Sequence, residues 1–229
     1  MAIARSLSRE DDDVFLAYAH DEVAARAAAA TITETGARAH LIKGDIGSRD
    51  GVVDIVDQVK RKVERLDQVV HSAVYPLSMP VLDLSASEFN KALQVNGASL
   101  LYLVQEALPL LKPGSSVIFI SSPGAKVVIR DYAALGTPKA LAESLVRYLA
   151  VELGTRGVRV NIVSPSALPT DAVRKIVPDM SKLFDRQRMQ TPLSRNPTFE
   201  DVAAAVSFLS STAASMITGQ EIVIDGIVS

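Results

Sequence analysis

Two residues with complementary proton chemistry, Tyr132 and Lys139, lie seven positions apart in the chain. Seven steps of about 100° bring two side chains to the same face of a helix, two turns apart. A lysine ammonium near a phenol favours the phenolate and lowers its pKa, which would make Tyr132 an acid or base near neutral pH. The spacing therefore predicts an acid–base pair, although a tyrosine and a lysine at this distance are also common on protein surfaces.

Two further polar residues extend this group. Ser122 follows an apolar segment that is typical of a buried strand, and the carboxyl ends of parallel strands form the ligand-binding edge of open α/β sheets. Asn96 lies in the helix predicted before that strand, where it could connect Lys139 to solvent through water or could simply be a polar residue inside the helix. We expect all four residues to belong to one site.

The elements that must position these residues alternate along the chain. Strands rich in β-branched residues are predicted at 14–18, 39–43, 68–71, 116–121, 159–163 and 221–224. Helices are predicted at 22–35, where Gly36 ends the helix, and at 49–65, 87–111, 132–153, 171–189 and 199–210. This order predicts one α/β domain over residues 1–229, with a doubly wound, mainly parallel, Rossmann-like sheet.

Composition excludes several classes of function. The 229 residues carry 24 basic against 26 acidic side chains, so no basic field is available to hold nucleic acid. The chain has no cysteine, and its three histidines lie too far apart to suggest a metal site. No apolar run is long enough for a signal peptide or a membrane span, so we expect a cytoplasmic protein without a membrane partner.

A resemblance to the short-chain dehydrogenase/reductase family is carried by SSPGAKVVIRDYAALGTPKALAESLVRYLAVELGTRGVRVNIVSPSALPTDA and by the closing ITGQEIVIDG. The chain looks most like the enoyl-[acyl-carrier-protein] reductase branch, in which the tyrosine and lysine are seven residues apart instead of four. The segment VVHSAVYP is also similar to that branch. The resemblance extends from Met1 to the end of the chain.

The resemblance implies a role for each candidate residue. Tyr132 would be the proton donor or base, and Lys139 would bind the nicotinamide ribose and tune Tyr132. Ser122 would position the substrate carbonyl, and Asn96 would be the relay residue of the family's tetrad. The cofactor NADP(H) would lie against Asp45, Ser72, Ala73, Ser164 and Thr170. Asp45 could instead cap a turn, and Ser72 could be a hydrogen-bonding residue at a strand end.

The start of the sequence departs from the family pattern. Family members open with a strand and a glycine-rich TGxxxGxG turn that holds the cofactor pyrophosphate, whereas MAIARSL resembles the helix after that turn. We expect the first strand and the phosphate-binding turn to be missing, so that this chain alone binds no cofactor tightly. The predicted strands 14–18 and 68–71 would then either pair directly or receive a strand from another chain or from a preceding segment.

A second departure is Pro138, which lies directly before Lys139 inside a predicted helix. Proline removes a backbone donor there and can kink the helix, so we expect Lys139 to be misaimed.

The favoured hypothesis is an accessory subunit that assembles with a full-length paralogue, which would bind NADP(H). The contact would use two helical segments, 93–111 and 141–153, each bounded by leucines (Leu93, Leu111, Leu141, Leu153). The complex would oxidise or reduce a β-hydroxy- or β-ketoacyl thioester on an acyl carrier protein in antibiotic or other secondary metabolism. Non-catalytic short-chain reductases of aminocoumarin pathways are similar in this respect.

Two alternatives stay open. One is an active NADPH-dependent enoyl- or 3-oxoacyl-[acyl-carrier-protein] reductase whose true start lies upstream of Met1. The other is a non-redox isomerase or cyclase that uses Tyr132 and Lys139.

Overall fold

The computed structural model describes residues 1–227, in which six strands alternate with helices. The strands are β1 (Asp13–Tyr18), β2 (Arg38–Lys43), β3 (Leu66–His71), β4 (Leu111–Ile120), β5 (Arg159–Pro165) and β6 (Glu221–Ile224). The helices are α1 (Ala2–Leu7), α2 (Glu22–Thr33), α3 (Arg49–Lys60), α4 (Ala86–Leu93), α5 (Ser99–Ala107), α6 (Ala133–Gly154), α7 (Asp171–Ile176), α8 (Met180–Gln190) and α9 (Phe199–Ser210). The predicted α/β class is confirmed, and none of these helices is both long and apolar enough to cross a membrane.

The strands pair in parallel but form two separate sheets. β1 pairs with β2, and the second sheet has the order β3-β4-β5-β6. Of the two predicted alternatives for the strands at 14–18 and 68–71, direct pairing is wrong, because within residues 1–227 no ladder joins β1 to β3. Each of these two strands therefore has one edge without a strand partner, as expected if the sheet lacks the strand between them.

Helical packing connects the two sheets. Ile42 of β2 and the apolar face of α3 form a buried cluster with Ala107 and Leu110 at the end of α5. On one face of β3–β5, α5 and α6 bury residues that include Leu100, Phe119 and Val146, and on the other face α9 buries Val206 and Leu209. Burial of each large side chain contributes about 1.5 to 3 kcal/mol, so these layers hold β1 and β3 in place without a shared ladder.

Two of the predicted helices are interrupted. The predicted helix 87–111 divides into α4, a π-helical turn at Gln94–Ala98 and α5, and β4 already begins at Leu111. The predicted helix 171–189 breaks between α7 and α8, since Val177 before Pro178 takes an extended conformation. Asp179 then caps α8 by accepting a hydrogen bond from the Lys182 amide at 2.9 Å.

Helix α6 continues through Pro138, contrary to the break that proline often causes. The missing amide would have bonded the carbonyl of Ala134, and that oxygen instead accepts a hydrogen bond from Asn96 Nδ2 at 3.1 Å. Asn96 lies in the π-helical turn, and Gly97 beside it lies against the Pro138 backbone. A side chain from a neighbouring helix therefore replaces the hydrogen bond that proline removes.

Replacing Gly97 with alanine should lower the free energy of unfolding by about 2 kcal/mol, because of overpacking between the π-helical turn and α6. A Cβ atom at Gly97 would lie 2.6 Å from the Pro138 carbonyl oxygen. Gly154, the last residue of α6, is the matched control, because a Cβ atom there would have no neighbour within 4 Å. Gly154→Ala should stabilise the fold by about 0.5 kcal/mol. Urea unfolding of both variants tests this, and equal effects would contradict it.

Candidate active site

Ser122 and Tyr132 meet at the carboxyl edge of the larger sheet. Ser122 lies two residues after β4, and Tyr132 is the residue that precedes α6. The Tyr132 hydroxyl donates a hydrogen bond to Ser122 Oγ at 3.2 Å. Gly124 between them is required, since a Cβ atom there would lie 2.4 Å from the tyrosine ring. The structure therefore brings these two predicted residues into direct contact.

Lys139 points to a different partner. Its Nζ donates to the carbonyl oxygen of Ile120 at 2.8 Å and lies 5.3 Å from the centre of the Phe119 ring. The side chain is 7% exposed. Tyr132 is the N-cap residue of α6, with φ −107° and ψ 7°, and its carbonyl accepts a hydrogen bond from the Gly136 amide at 2.8 Å. The alignment of Tyr132 and Lys139 on one helix face stays a prediction.

The proton affinities reflect these surroundings. Burial raises the pKa of Tyr132, and the hydrogen bond with Ser122 opposes that shift. Burial lowers the pKa of Lys139 to about 8, and the carboxylate of Glu143 opposes that shift. The predicted lowering of the Tyr132 pKa by Lys139 is therefore wrong for this arrangement, in which the lysine does not offset the burial of the phenol.

Asn96 is buried beside the site and uses its side chain to hold backbone. Its Oδ1 accepts from the Tyr75 amide at 2.7 Å, and its Nδ2 donates to the Tyr75 carbonyl at 3.2 Å and to that of Ala134. These contacts fit the alternative of a polar residue inside the helix. The relay role that the resemblance implies stays a prediction.

The predicted cofactor residues lie near the carboxyl ends of three strands. Asp45 and the pair Ser72–Ala73 follow β2 and β3, whereas Ser164 lies near the end of β5 and Thr170 precedes α7. Asp45 Oδ1 accepts from the Gly47 amide at 2.9 Å, which is the turn-capping alternative, and Thr170 Oγ1 accepts from Val173. Open α/β sheets bind their ligands at the carboxyl ends of their strands. Ser164 is only 1% exposed, and the cofactor contacts of these residues stay a prediction. The TGxxxGxG turn for the cofactor pyrophosphate is not among residues 1–227.

Sequence reasoning missed a polar cluster beneath the site. The Ser121 hydroxyl donates to Glu143 Oε1 at 2.5 Å, and both side chains are buried. His71 at the end of β3 is also buried and bonds Ser99 Oγ at 2.7 Å, and burial lowers its pKa to about 4. The spacing of Glu143, four residues after Lys139 on one helix, was a signal that could have identified it.

Known proteins share this fold over nearly the whole chain. A family model described as enoyl-(acyl carrier protein) reductase matches residues 1–227. The 1-cyclohexenylcarbonyl-CoA reductase of Streptomyces collinus is 29% identical over 229 residues, covering 98% of this chain and 80% of that protein. An enoyl-[acyl-carrier-protein] reductase [NADH] of Rickettsia bellii is 31% identical over 180 residues, covering 77% of this chain and 68% of that protein.

A solved structure extends the comparison to a cofactor complex. The crystal structure of a short-chain dehydrogenase from Burkholderia cenocepacia J2315 in complex with NADP is 29% identical and has a TM-score of 0.89. The match covers 98% of this chain and 91% of that chain. Together with the Ser122–Tyr132 contact at the sheet edge, these similarities show that the chain belongs to the short-chain dehydrogenase/reductase family of oxidoreductases, in its enoyl-(acyl carrier protein) reductase-like branch.

Proposed function

We propose that this chain is an accessory subunit of an NADP(H)-dependent reductase complex and assembles with a full-length member of its family. The observation that carries the proposal is the position of Lys139, whose ammonium is buried against the Ile120 carbonyl. Within residues 1–227, burial raises the pKa of Tyr132, and the Ser122 hydroxyl rather than a cation opposes that shift. A phenol in this state is poorly prepared to exchange its proton near neutral pH.

The substrate class we propose is an acyl thioester on a carrier protein. The names of the Streptomyces and Rickettsia relatives specify acyl groups on coenzyme A and on acyl carrier protein. In this chain the paired hydroxyls of Ser122 and Tyr132 could hydrogen-bond the carbonyl oxygen of such a group. Antibiotic or other secondary metabolism is the setting we propose for a complex of this kind.

Two groups of residues in this chain would contact the two halves of NADP(H). When bound, the cofactor would supply or accept the hydride. Asp45, Ser72 and Ala73 would border the adenine half, and Ser164 and Thr170 the nicotinamide half. We propose that NADP(H) is bound tightly by the full-length partner, whose own glycine-rich turn would contact the pyrophosphate.

Helix α6 supports the assembly with a partner. Leu141, Tyr148 and Val151 lie on α6 at helical spacing, and they are 39%, 69% and 77% exposed. A row of exposed apolar side chains on a long helix is typical of an interface between subunits. We propose that this row, with the neighbouring segment 93–111, contacts the partner.

A calorimetric titration of NADPH into the purified chain, run with a light-scattering mass, tests the proposal. We expect no micromolar binding by this chain alone and no NADPH oxidation with crotonyl-CoA or acetoacetyl-CoA. A full-length family member titrated in parallel is the positive control. Micromolar binding together with turnover would contradict the accessory role and favour the second candidate.

The second candidate is an active NADPH-dependent enoyl- or 3-oxoacyl-thioester reductase, which the 3.2 Å contact between Tyr132 and Ser122 favours. Under this candidate, Tyr132→Phe should reduce turnover by a factor of about 10² to 10⁴, because the proton donor is lost. A Tyr102→Phe variant, which changes a tyrosine of α5, is the matched control. Turnover unaffected by Tyr132→Phe would contradict this candidate.

A further inference from the structure

A buried charged pair lies directly beneath the candidate site. Lys139 and Glu143 are one helical turn apart on α6 and are 7% and 5% exposed. Each of them holds one of the two residues that precede Ser122. Lys139 Nζ donates to the Ile120 carbonyl at 2.8 Å, and Glu143 Oε1 accepts from the Ser121 hydroxyl at 2.5 Å.

The cost of burying these charges explains why they occur together. Moving an ionised carboxylate or ammonium out of water costs several kcal/mol of solvation free energy unless a countercharge compensates it. An ionised Glu143 without Lys139 would therefore be strongly unfavourable at this depth. The Glu143 carboxylate raises the pKa of Lys139 against the effect of burial. The Glu143 carboxylate therefore favours the charged form of Lys139.

One further titratable group, His71 of β3, interacts with Lys139. The Ser99 hydroxyl donates its proton to the Val95 carbonyl at 2.8 Å, so His71 Nε2 must be the donor to Ser99 Oγ. Burial and the Lys139 charge both lower the pKa of His71, which keeps the ring neutral. The countercharge for Lys139 within this cluster therefore comes from Glu143.

We propose that Glu143 is a positioning residue of the candidate site. Its carboxylate holds Ser121, and through the adjoining peptide it fixes the Ser122 hydroxyl against Tyr132. Its charge holds the Lys139 ammonium beneath the end of β4. The consequence for turnover rests on the proposed function, whereas the positioning itself is a property of the isolated chain.

Lysine side-chain NMR on the 229-residue chain tests the charge effect. With ¹³C at the lysine ε-carbons, Lys139 is assigned by the resonance that is lost in Lys139→Met. Glu143→Gln should lower its titration midpoint by about one pH unit or more, since burial persists and the countercharge is lost. Glu152→Gln, which changes an exposed glutamate of the same helix, should leave the midpoint unchanged. An unchanged midpoint in Glu143→Gln would overturn the proposal.

The link to Ser122 has its own measurement. Ser121→Ala keeps the Glu143 charge but removes its hydrogen bond, so the Tyr132 Cζ resonance should shift while the Lys139 midpoint stays near the wild-type value. A Tyr132 resonance identical to that of the wild type would overturn this part.

Glu143→Asp covers the case in which Glu143→Gln does not fold, because aspartate keeps the charge but is too short to reach Ser121. The Lys139 titration midpoint in Glu143→Asp should then lie near the wild-type value, because the carboxylate is retained. A midpoint lowered by about one pH unit would contradict the proposal. None of these readouts requires turnover or cofactor. Failure of NADPH-dependent activity in the complex would therefore count against the proposed function and leave the positioning intact.

Discussion

Replacing Asn96 with alanine should lower the free energy of unfolding by about 4 kcal/mol. The substitution removes three hydrogen bonds, to the Tyr75 amide and carbonyl and to the Ala134 carbonyl, in a place where the side chain is 1% exposed. Backbone groups left without partners in such a place cost about 1 to 3 kcal/mol each. Guanidinium unfolding followed by circular dichroism measures the change.

Asn90→Ala is the control, since Asn90 lies on α4 and is exposed. It should change the stability by less than about 0.5 kcal/mol. Similar losses in both variants would show that the contacts of Asn96 do not carry the effect.

The role of Asn96 as a substitute for the missing Pro138 amide can be isolated in a double-mutant cycle. Pro138→Ala restores a backbone donor that can reach the Ala134 carbonyl, so this oxygen no longer depends on Asn96. Asn96→Ala should therefore cost about 1 kcal/mol less in the Pro138→Ala background. Strictly additive losses would contradict the substitution of one hydrogen bond for the other.

The free energy of unfolding should rise by about 3 kcal/mol between pH 8 and about pH 10.5 through Lys139 alone. Burial lowers the pKa of this residue from 10.5 to about 8. Below pH 8 the lysine is charged in both the folded and the unfolded chain, so the full cost of burying its charge destabilises the folded state. Between the two pKa values the unfolded chain binds more protons than the folded chain, and stability rises with pH.

Denaturant unfolding from pH 7.5 to 10 measures this rise, with Lys139→Met as the control. Other lysines and tyrosines titrate in both proteins, so the difference between the two curves reports Lys139. Burial raises the pKa of Tyr132, so this residue lowers the stability only above the ordinary tyrosine pKa of about 10, which sets the upper end of the pH range. If the free energies of unfolding of the wild type and of Lys139→Met changed in parallel with pH, the burial of a charged Lys139 would be contradicted.

The strands were predictable from the sequence because each is a short apolar run bounded by turn residues. All six observed strands overlap the predicted ones, and β6 has the same bounds. Helix interruptions were harder to predict, since periodicity continues through them. The break at Pro178 has a local cause that can be recognised, whereas the π-helical turn at Gln94–Ala98 depends on contacts with α6.

The sequence by itself determined the family, the α/β class and the candidate residues Ser122 and Tyr132, because residue types and spacings along the chain carry that information. Only the tertiary structure decided where Lys139 points, which acid accompanies it and what satisfies the backbone at Pro138. Those outcomes depend on side chains such as Glu143, Ser121 and Asn96 that meet across a sheet and between helices. Their energies come from burial and from hydrogen bonds between distant segments, which a pattern along the chain does not record.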